Sequence, residues 1–228
     1  MKTPIFLSMI AINFLSMKLE AAELFPTIKS TLQHAEKQFF TIPKERKVEL
    51  KKLSAYIQNK LGKHQKVELI FICTHNSRRS HFAQIWAQTA AAYYNIPTIQ
   101  CYSGGTETTA FNINAVDALM KVGFLIQPKS EALNPHYEVK YATNLSAIDA
   151  YSKKYGDAPN PLKEYGAVLT CSLADASCPI VLGAEGRFKV PYEDPKLSDG
   201  TGKQDKVYQE RSLQIATEMM YVFSIIKY

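Results

Sequence analysis

The sequence predicts an α/β domain with a doubly wound, four-stranded parallel sheet and an N-terminal helical extension. The first observation is that apolar runs typical of buried strands alternate with helical patterns from residue 67 onward. The second is size: 228 residues, 46% of them hydrophobic, bury a full core without metals or disulfides. The third is that no apolar run reaches the roughly 18 residues of a membrane span. Stable membrane insertion is therefore not expected.

The net charge of +6 is confined to one segment. Residues 43–66 contain eight Lys and Arg and two Glu, whereas the rest of the chain carries 19 residues of each sign. A nucleic-acid partner is therefore not expected, because binding to a polyanion needs a basic surface of the domain itself.

Residues 1–22 differ from the rest of the chain. Lys2 precedes an apolar stretch over residues 4–17, and Leu19-Glu20-Ala21 fits a small-residue cleavage site. This pattern is typical of an export signal. The alternatives are a misread start, with Met17 as the true initiator, and a frayed apolar tail.

Residues 23–66 are predicted to form the helical extension, with two helices joined at Thr41-Ile42-Pro43. Thr41 is expected to cap the second helix and Pro43 to occupy its first turn. In that helix the apolar residues share one face, and the lysines are expected on a solvated opposite face. The apolar residues are Leu50, Leu53, Ile57 and Leu61.

Residues 67–228 are predicted to form the catalytic domain. The expected strands are 67–72, 98–102, 138–141, 167–170 and 187–190, and the expected helices run from the first loop through Ala92, over 114–122 and over 205–227. Residues 127–165 contain several prolines and are predicted to be a loop-rich decoration.

The loop after the first strand reads Cys73-Thr74-His75-Asn76-Ser77-Arg78-Arg79-Ser80. Ligands bind at the carboxyl edge of such strands. Backbone N–H groups and a helix N-terminus can converge there on an oxyanion, which Arg79 can clamp through two oxygens. The same field stabilises a thiolate at Cys73, with Ser77 and Ser80 as donors, so the cysteine can act as a nucleophile. The alternative is a structural cysteine beside surface arginines.

This octet resembles the phosphate loop of the low-molecular-weight protein tyrosine phosphatases and of the thioredoxin-coupled arsenate reductases built on the same fold. Ser103-Gly104-Gly105-Thr106 resembles the family's turn after the second strand, and residues 114–123 resemble its next helix. Glu193-Asp194-Pro195 resembles its general-acid loop. The resemblance covers about residues 67–227 and implies that Asp194 protonates the leaving oxygen. It also implies that the loop binds the oxyanion through Thr74, His75, Asn76, Ser77, Arg78, Arg79 and Ser80.

Two further cysteines distinguish the reductases from the phosphatases. Cys171 ends a predicted strand at the same sheet edge as Cys73, and Cys178 follows seven residues later. This spacing resembles the relay cysteines of the reductases, which implies that Cys171 attacks Cys73 and that Cys178 then attacks Cys171. The alternative is two incidental cysteines. Residues 196–199 also lack the aromatic wall that tyrosine phosphatases use.

The chain departs from the family pattern at three positions, two of them in the loop. Arg78 stands where a second loop cysteine is usual, and His75 replaces the usual glycine. Gln84 replaces a glutamate that many such reductases use near a potassium site. No metal site is therefore predicted.

The sequence thus predicts an arsenate reductase that needs no bound cofactor and draws on an external thiol reductant such as thioredoxin. The first alternative is a protein tyrosine phosphatase that hydrolyses phosphomonoesters, and the second is a non-catalytic oxyanion or redox sensor. The expected partners are a small oxyanion or phosphomonoester and thioredoxin. A cytoplasmic location is predicted because the relay needs a reducing compartment, with export after removal of about residues 1–21 as the alternative.

Overall fold

The computed structural model describes residues 21–96, 98–172 and 181–227. Residues 1–20 of the predicted N-terminal segment 1–22, and Cys178, lie outside the described residues. In chain order the elements are α1 (Pro26–Lys37), α2 (Lys44–Gly62), β1 (Val67–Cys73), α3 (Arg79–Tyr93), β2 (Ile99–Gly105), α4 (Ile113–Lys121), β3 (Leu125–Pro128), β4 (Tyr137–Lys140), β5 (Ile148–Ala150), β6 (Tyr165–Leu169), β7 (Ala184–Lys189) and α5 (Gln204–Ser224). No helix among these described segments is both long and apolar enough to cross a membrane.

The predicted four-stranded parallel sheet is confirmed, with the strand order β2-β1-β6-β7. All of β1 except Glu68 is buried. Val67, Leu69 and Phe71 pack in the large cluster that contains the helices, and Ile70 and Ile72 belong to a second, smaller buried cluster. Cys73 pairs in register with Gly105, and Ile72 pairs with Leu169. The carboxyl ends of β1, β2 and β6 therefore meet at one edge of the sheet.

The two helices expected in residues 23–62 are present as α1 and α2, and both pack against α5. Their predicted junction is wrong in detail. Thr41 does not cap α2: its hydroxyl donates to the Gln38 carbonyl at 2.8 Å, because a short 3-10 turn intervenes. Pro43 lies just before the first turn. Lys60 is also not on a solvated face, since it is buried and its Nζ lies 2.8 Å from Glu185 Oε2.

Residues 125–150 form a second, antiparallel sheet with the order β3-β4-β5, so the predicted loop-rich decoration is partly wrong. Its strands are three or four residues long, which is too short for a clear alternating pattern. Ile126, Val139 and Ile148 pair across it and are buried, so this face packs on the core. In space, the segment that follows β5 lies against the 73–80 loop.

Candidate oxyanion site

Flanking segments hold the 73–80 loop in place by donating hydrogen bonds to its carbonyl groups. The backbone N–H groups of Thr106, Glu107 and Asn112 donate to the carbonyls of residues 73, 74 and 77 at 3.2, 2.8 and 2.9 Å. The Ser152 hydroxyl donates to the carbonyl of residue 75 at 3.0 Å. The loop carbonyls therefore point toward the flanking segments.

The loop amides, by contrast, are not used to hold the loop. Within the part of the chain that the structure describes, no residue accepts a hydrogen bond from the backbone N–H groups of residues 74–79. Asn76 adopts a left-handed backbone conformation with φ of 44°, which successive N–H groups need in order to converge on one point. Its side chain fixes this turn, because Asn76 Oδ1 accepts from the backbone N–H of Lys153 at 2.9 Å. Unused amides beside a left-handed residue are the arrangement that anion-binding concavities use.

The candidate nucleophile, Cys73, is the last residue of β1 and is buried. Its Sγ lies 3.1 Å from the Ser80 Oγ, which also accepts from Asn76 Nδ2 at 2.9 Å. Because Asn76 supplies the hydrogen in that bond, the Ser80 hydroxyl keeps its own proton for the sulfur. Of the two serines expected as donors, the structure brings Ser80 to Cys73 and leaves Ser77 without such a contact among the described residues.

The candidate oxyanion clamp and the candidate acid meet each other. Arg79 begins α3, and its Nη2 lies 2.7 Å from Asp194 Oδ2 while its Nη1 donates to the Tyr192 carbonyl at 3.1 Å. The other carboxylate oxygen, Asp194 Oδ1, accepts from the backbone N–H of Lys196 at 3.1 Å. This bond caps the short 3-10 helix Pro195–Ser198 and holds the carboxylate at the loop.

Arg78 does not direct its side chain to the loop interior. Its Nε donates to the Tyr208 hydroxyl at 2.8 Å, its Nη2 lies 3.6 Å from Asp199 Oδ2, and its Nη1 lies 3.9 Å from Asp194 Oδ1. The guanidinium that replaces the usual cysteine thus ties the loop to the acid segment and α5. Sequence reasoning missed Asp199 and Tyr208, because neither belongs to a motif.

His75 and Gln84 contribute differently to the surroundings. The His75 ring is half exposed, and its Nε2 lies 3.4 Å from Glu107 Oε2. Gln84 is buried, and its Nε2 donates to the carbonyl of Cys101 at 3.1 Å.

Burial raises the pKa of the Cys101 thiol far above its usual range, so this thiol stays protonated and packs in the core. Among the residues that the structure describes, no group of three His, Cys, Asp or Glu could hold a metal ion.

Cys171 lies against the same loop. The chain continues alongside β1 beyond the last residue of β6, since the Thr170 N–H donates to the Ile72 carbonyl at 2.7 Å. Cys171 is 1% exposed, belongs to the same buried cluster as Cys73, and places its Sγ 3.5 Å from the Thr74 hydroxyl. A second thiol is therefore adjacent to the loop that carries the first.

The site combines a buried thiol, backbone amides that no described residue accepts from, a guanidinium and a carboxyl group at the edge of the sheet. Such a site can attack the central atom of a tetrahedral oxyanion, stabilise its charge and protonate an oxygen that leaves. This fold and this loop together define the class of protein: an α/β domain that carries a cysteine and an arginine on the loop after its first parallel strand.

Comparison with known proteins assigns the family. No family model matches the chain. The arsenate reductase of Staphylococcus aureus strain Newman is 34% identical over 132 residues, which are 57% of this chain and 79% of that protein. Arsenate reductase 2 of Staphylococcus epidermidis is 30% identical over 131 residues, again 57% of this chain and 79% of that protein. The chain belongs to the arsenate reductase family.

Solved structures were also compared. A low-molecular-weight phosphotyrosine phosphatase from Vibrio cholerae O395 aligns with a TM-score of 0.47 and 14% identity, over 69% of this chain and 95% of that chain. An arsenate reductase in a phosphate-binding state aligns with a TM-score of 0.42 and 17% identity, over 71% of this chain and 99% of that chain.

Proposed function

We propose that the protein reduces arsenate to arsenite by a thiol–disulfide relay through Cys73, Cys171 and Cys178. The observation that supports the relay is the position of the Cys171 thiol, which lies 3.5 Å from the Thr74 hydroxyl and in one buried cluster with Cys73. A phosphatase needs no second thiol at that place, because water completes its reaction.

In the first step the Cys73 thiolate attacks arsenic and a sulfur–arsenic bond forms. One hydroxyl group of hydrogen arsenate leaves as water after Asp194 has supplied its second proton, while Arg79 and the loop amides hold the remaining oxygens. Arsenic is still As(V) in this adduct, so no electrons have yet been transferred.

Reduction occurs in the second step. The Cys171 thiolate attacks Cys73 Sγ, and the sulfur–arsenic bond breaks with its electron pair left on arsenic. Arsenite, As(III), departs, and a Cys73–Cys171 disulfide holds the oxidising equivalents. Cys178 then attacks Cys171 Sγ, which releases Cys73 as a thiolate and forms a Cys171–Cys178 disulfide.

An external dithiol of the thioredoxin type completes the cycle, because it can take over this disulfide and become oxidised itself. This last step requires a compartment in which thiols are kept reduced, so we propose that the protein acts in the cytoplasm.

The relay is tested by replacing each of its two later cysteines. Cys171→Ser should abolish arsenate reduction and spare hydrolysis of p-nitrophenyl phosphate, because hydrolysis uses water instead of a second thiol. Cys178→Ser should stop after one turnover with a Cys73–Cys171 disulfide, which mass spectrometry of the unreduced peptides would show.

The matched control is Cys101→Ala, which removes a buried thiol of β2 that has no part in the relay. It should reduce arsenate as the unmodified protein does. If Cys171→Ser and Cys178→Ser both keep the full rate with thioredoxin as the sole reductant, the relay is wrong. Hydrolysis of phosphomonoesters by Cys73, Arg79 and Asp194 would then be the function that the site supports.

A further inference from the structure

Residue Arg46 of α2 is less exposed than several other basic residues of its helix. Its side chain is 16% exposed, whereas the helix exposes Lys44, Lys51 and Lys52. Arg46 Nε and Nη2 donate to Glu218 Oε2 at 2.9 and 2.7 Å, and the Glu218 side chain is 4% exposed. A buried guanidinium therefore crosses from the N-terminal extension into the domain.

The same guanidinium holds Tyr192. The Arg46 Cζ lies 4.7 Å from the centroid of the Tyr192 ring, which is a cation–π distance. Tyr192 is 5% exposed, and burial together with the Glu218 charge raises the pKa of its phenol well above the usual value. The ring is thus a neutral, buried surface on which the Arg46 charge is stacked.

The main chain of Tyr192 is part of the candidate site. Its N–H donates to the Thr170 carbonyl at 3.0 Å, directly before Cys171, and its carbonyl accepts from Arg79 Nη1 at 3.1 Å. Two residues further on, Asp194 binds Arg79 Nη2. One tyrosine therefore links the guanidinium of Arg79, the segment of the acid and the end of β6.

We propose that Arg46 is a positioning residue of the oxyanion site: by fixing Tyr192 it sets where Arg79 and Asp194 stand relative to Cys73. Helix α2 lies outside the stretch that resembles the phosphatases and reductases, so the N-terminal extension completes the site as well as covering the core. The part of this inference that concerns proton donation rests on the proposed function, since it takes Asp194 as the acid.

A purely structural role would predict something different. If the Arg46–Glu218 pair only docks α2 on α5, its removal lowers stability and leaves the folded fraction with an unchanged site. If Arg46 positions the site, the folded protein itself binds oxyanions less well and donates protons less well. The test must therefore measure the folded site, and a melting temperature alone cannot decide.

The variant of choice is the double substitution Arg46→Met and Glu218→Gln. Arg46→Met alone leaves the Glu218 carboxylate buried and unpaired, which can prevent folding. The double variant removes both charges, glutamine keeps the length of the Glu218 side chain, and methionine keeps an unbranched apolar stem at position 46. Lys51→Ala is the matched control, because Lys51 is an exposed basic residue of the same helix.

The first readout is protection of Cys73 from iodoacetamide by inorganic phosphate. The double variant should need about three to thirty times more phosphate for half protection, the range expected for a residue that acts through another. Lys51→Ala should need the same concentration as the unmodified protein. This readout requires no turnover, so it remains valid even if the protein neither reduces arsenate nor hydrolyses esters. That result would overturn the proposed function and leave the positioning role of Arg46 standing.

The second readout is the dependence of hydrolysis on the leaving group. The double variant should lose more kcat on phenyl phosphate than on p-nitrophenyl phosphate, because only the poorer leaving group needs the proton from Asp194. In an Asp194→Asn background the same two substitutions should cause no further selective loss. A folded double variant with unchanged phosphate protection and equal losses on both esters would overturn the inference and reduce the pair to a docking contact.

Discussion

Residue Asp194 illustrates how the site assigns roles to single side chains. Its two carboxylate oxygens face different partners, Arg79 Nη2 at 2.7 Å and the backbone N–H of Lys196 at 3.1 Å. The second contact fixes the carboxylate from its own chain, and the first aims it at the guanidinium that is proposed to clamp the oxyanion. If Arg79 binds the oxyanion as proposed, the Asp194 carboxyl group lies next to the oxygens of the substrate.

Replacement of this carboxyl by an amide should therefore remove proton donation and leave the loop intact. For Asp194→Asn we expect kcat on phenyl phosphate to fall by about 10² to 10⁴, the usual contribution of a positioned acid, and kcat on p-nitrophenyl phosphate to fall much less. Steady-state kinetics with the two esters would measure both.

Asp199→Asn serves as the control, since Asp199 binds Arg78 and Tyr208 but not Arg79. It should reduce both rates to a similar, small extent. An equal and slight loss on both esters for Asp194→Asn would show that this aspartate only caps its 3-10 helix.

At the scale of elements, the end of β2 gives the loop its shape. Gly105 pairs with Cys73, and a Cβ at this position would lie 2.3 Å from the Glu107 carbonyl oxygen and 2.6 Å from the Thr74 carbonyl oxygen. Both neighbours are backbone atoms, so they cannot move aside cheaply. The close approach of strand and loop therefore requires glycine.

Gly105→Ala should displace the loop. We expect a loss of stability of about 1 to 3 kcal/mol, as for other overpacked sites, and a loss of phosphate protection at Cys73. Urea unfolding and iodoacetamide labelling would measure the two effects.

Gly62→Ala provides the opposite case on α2, because a Cβ there meets nothing within 4 Å. It should raise stability by about 0.5 to 1 kcal/mol, since alanine loses less backbone entropy in a helix. If Gly105→Ala proved as harmless as Gly62→Ala, the glycine would not be required by the loop.

For the whole molecule, burial of a histidine makes stability depend on pH. His81 is fully buried and stacks on Phe111 with ring centroids 4.1 Å apart. Burial, together with the nearby Lys153 charge, lowers the pKa of His81 from 6.5 to about 3. Between these two values the unfolded chain binds a proton that the folded chain does not bind. The contribution of His81 to stability is therefore complete above pH 6.5 and is lost as the pH drops toward 3.

His81→Gln should weaken this dependence. In urea unfolding at a series of pH values, the unmodified protein should lose up to about 1.4 kcal/mol more per pH unit below pH 6.5 than the variant does. His34→Gln, at an exposed position of α1, should keep the slope of the unmodified protein. Parallel curves for His81→Gln and the unmodified protein would contradict the assignment, whatever constant offset separates them.

Much of the fold follows from local pattern. The buried runs that became β1, β2 and β6, and the helices α3 and α4 that follow the first two, were predictable because each is a contiguous stretch with a single period. The β3–β5 sheet was not, because its strands are short and only their pairing buries Ile126, Val139 and Ile148. The Thr41 cap failed for a related reason, since the choice between a 3-10 turn and a cap depends on how α1 and α2 pack.

The sequence by itself determined the position of the loop and the chemistry proposed for it, because the thiol, the amides and the helix N-terminus lie within eight consecutive residues and need no distant partner to be found. Only the tertiary structure decided what the charged side chains do. Arg79 meets Asp194 across 115 residues, and Arg46 meets Glu218 across 172. Such contacts leave no periodicity in the sequence. They form because a guanidinium that is removed from water is costly unless a carboxylate pairs with it. Only the packing of the sheet and helices determines which carboxylate is within reach.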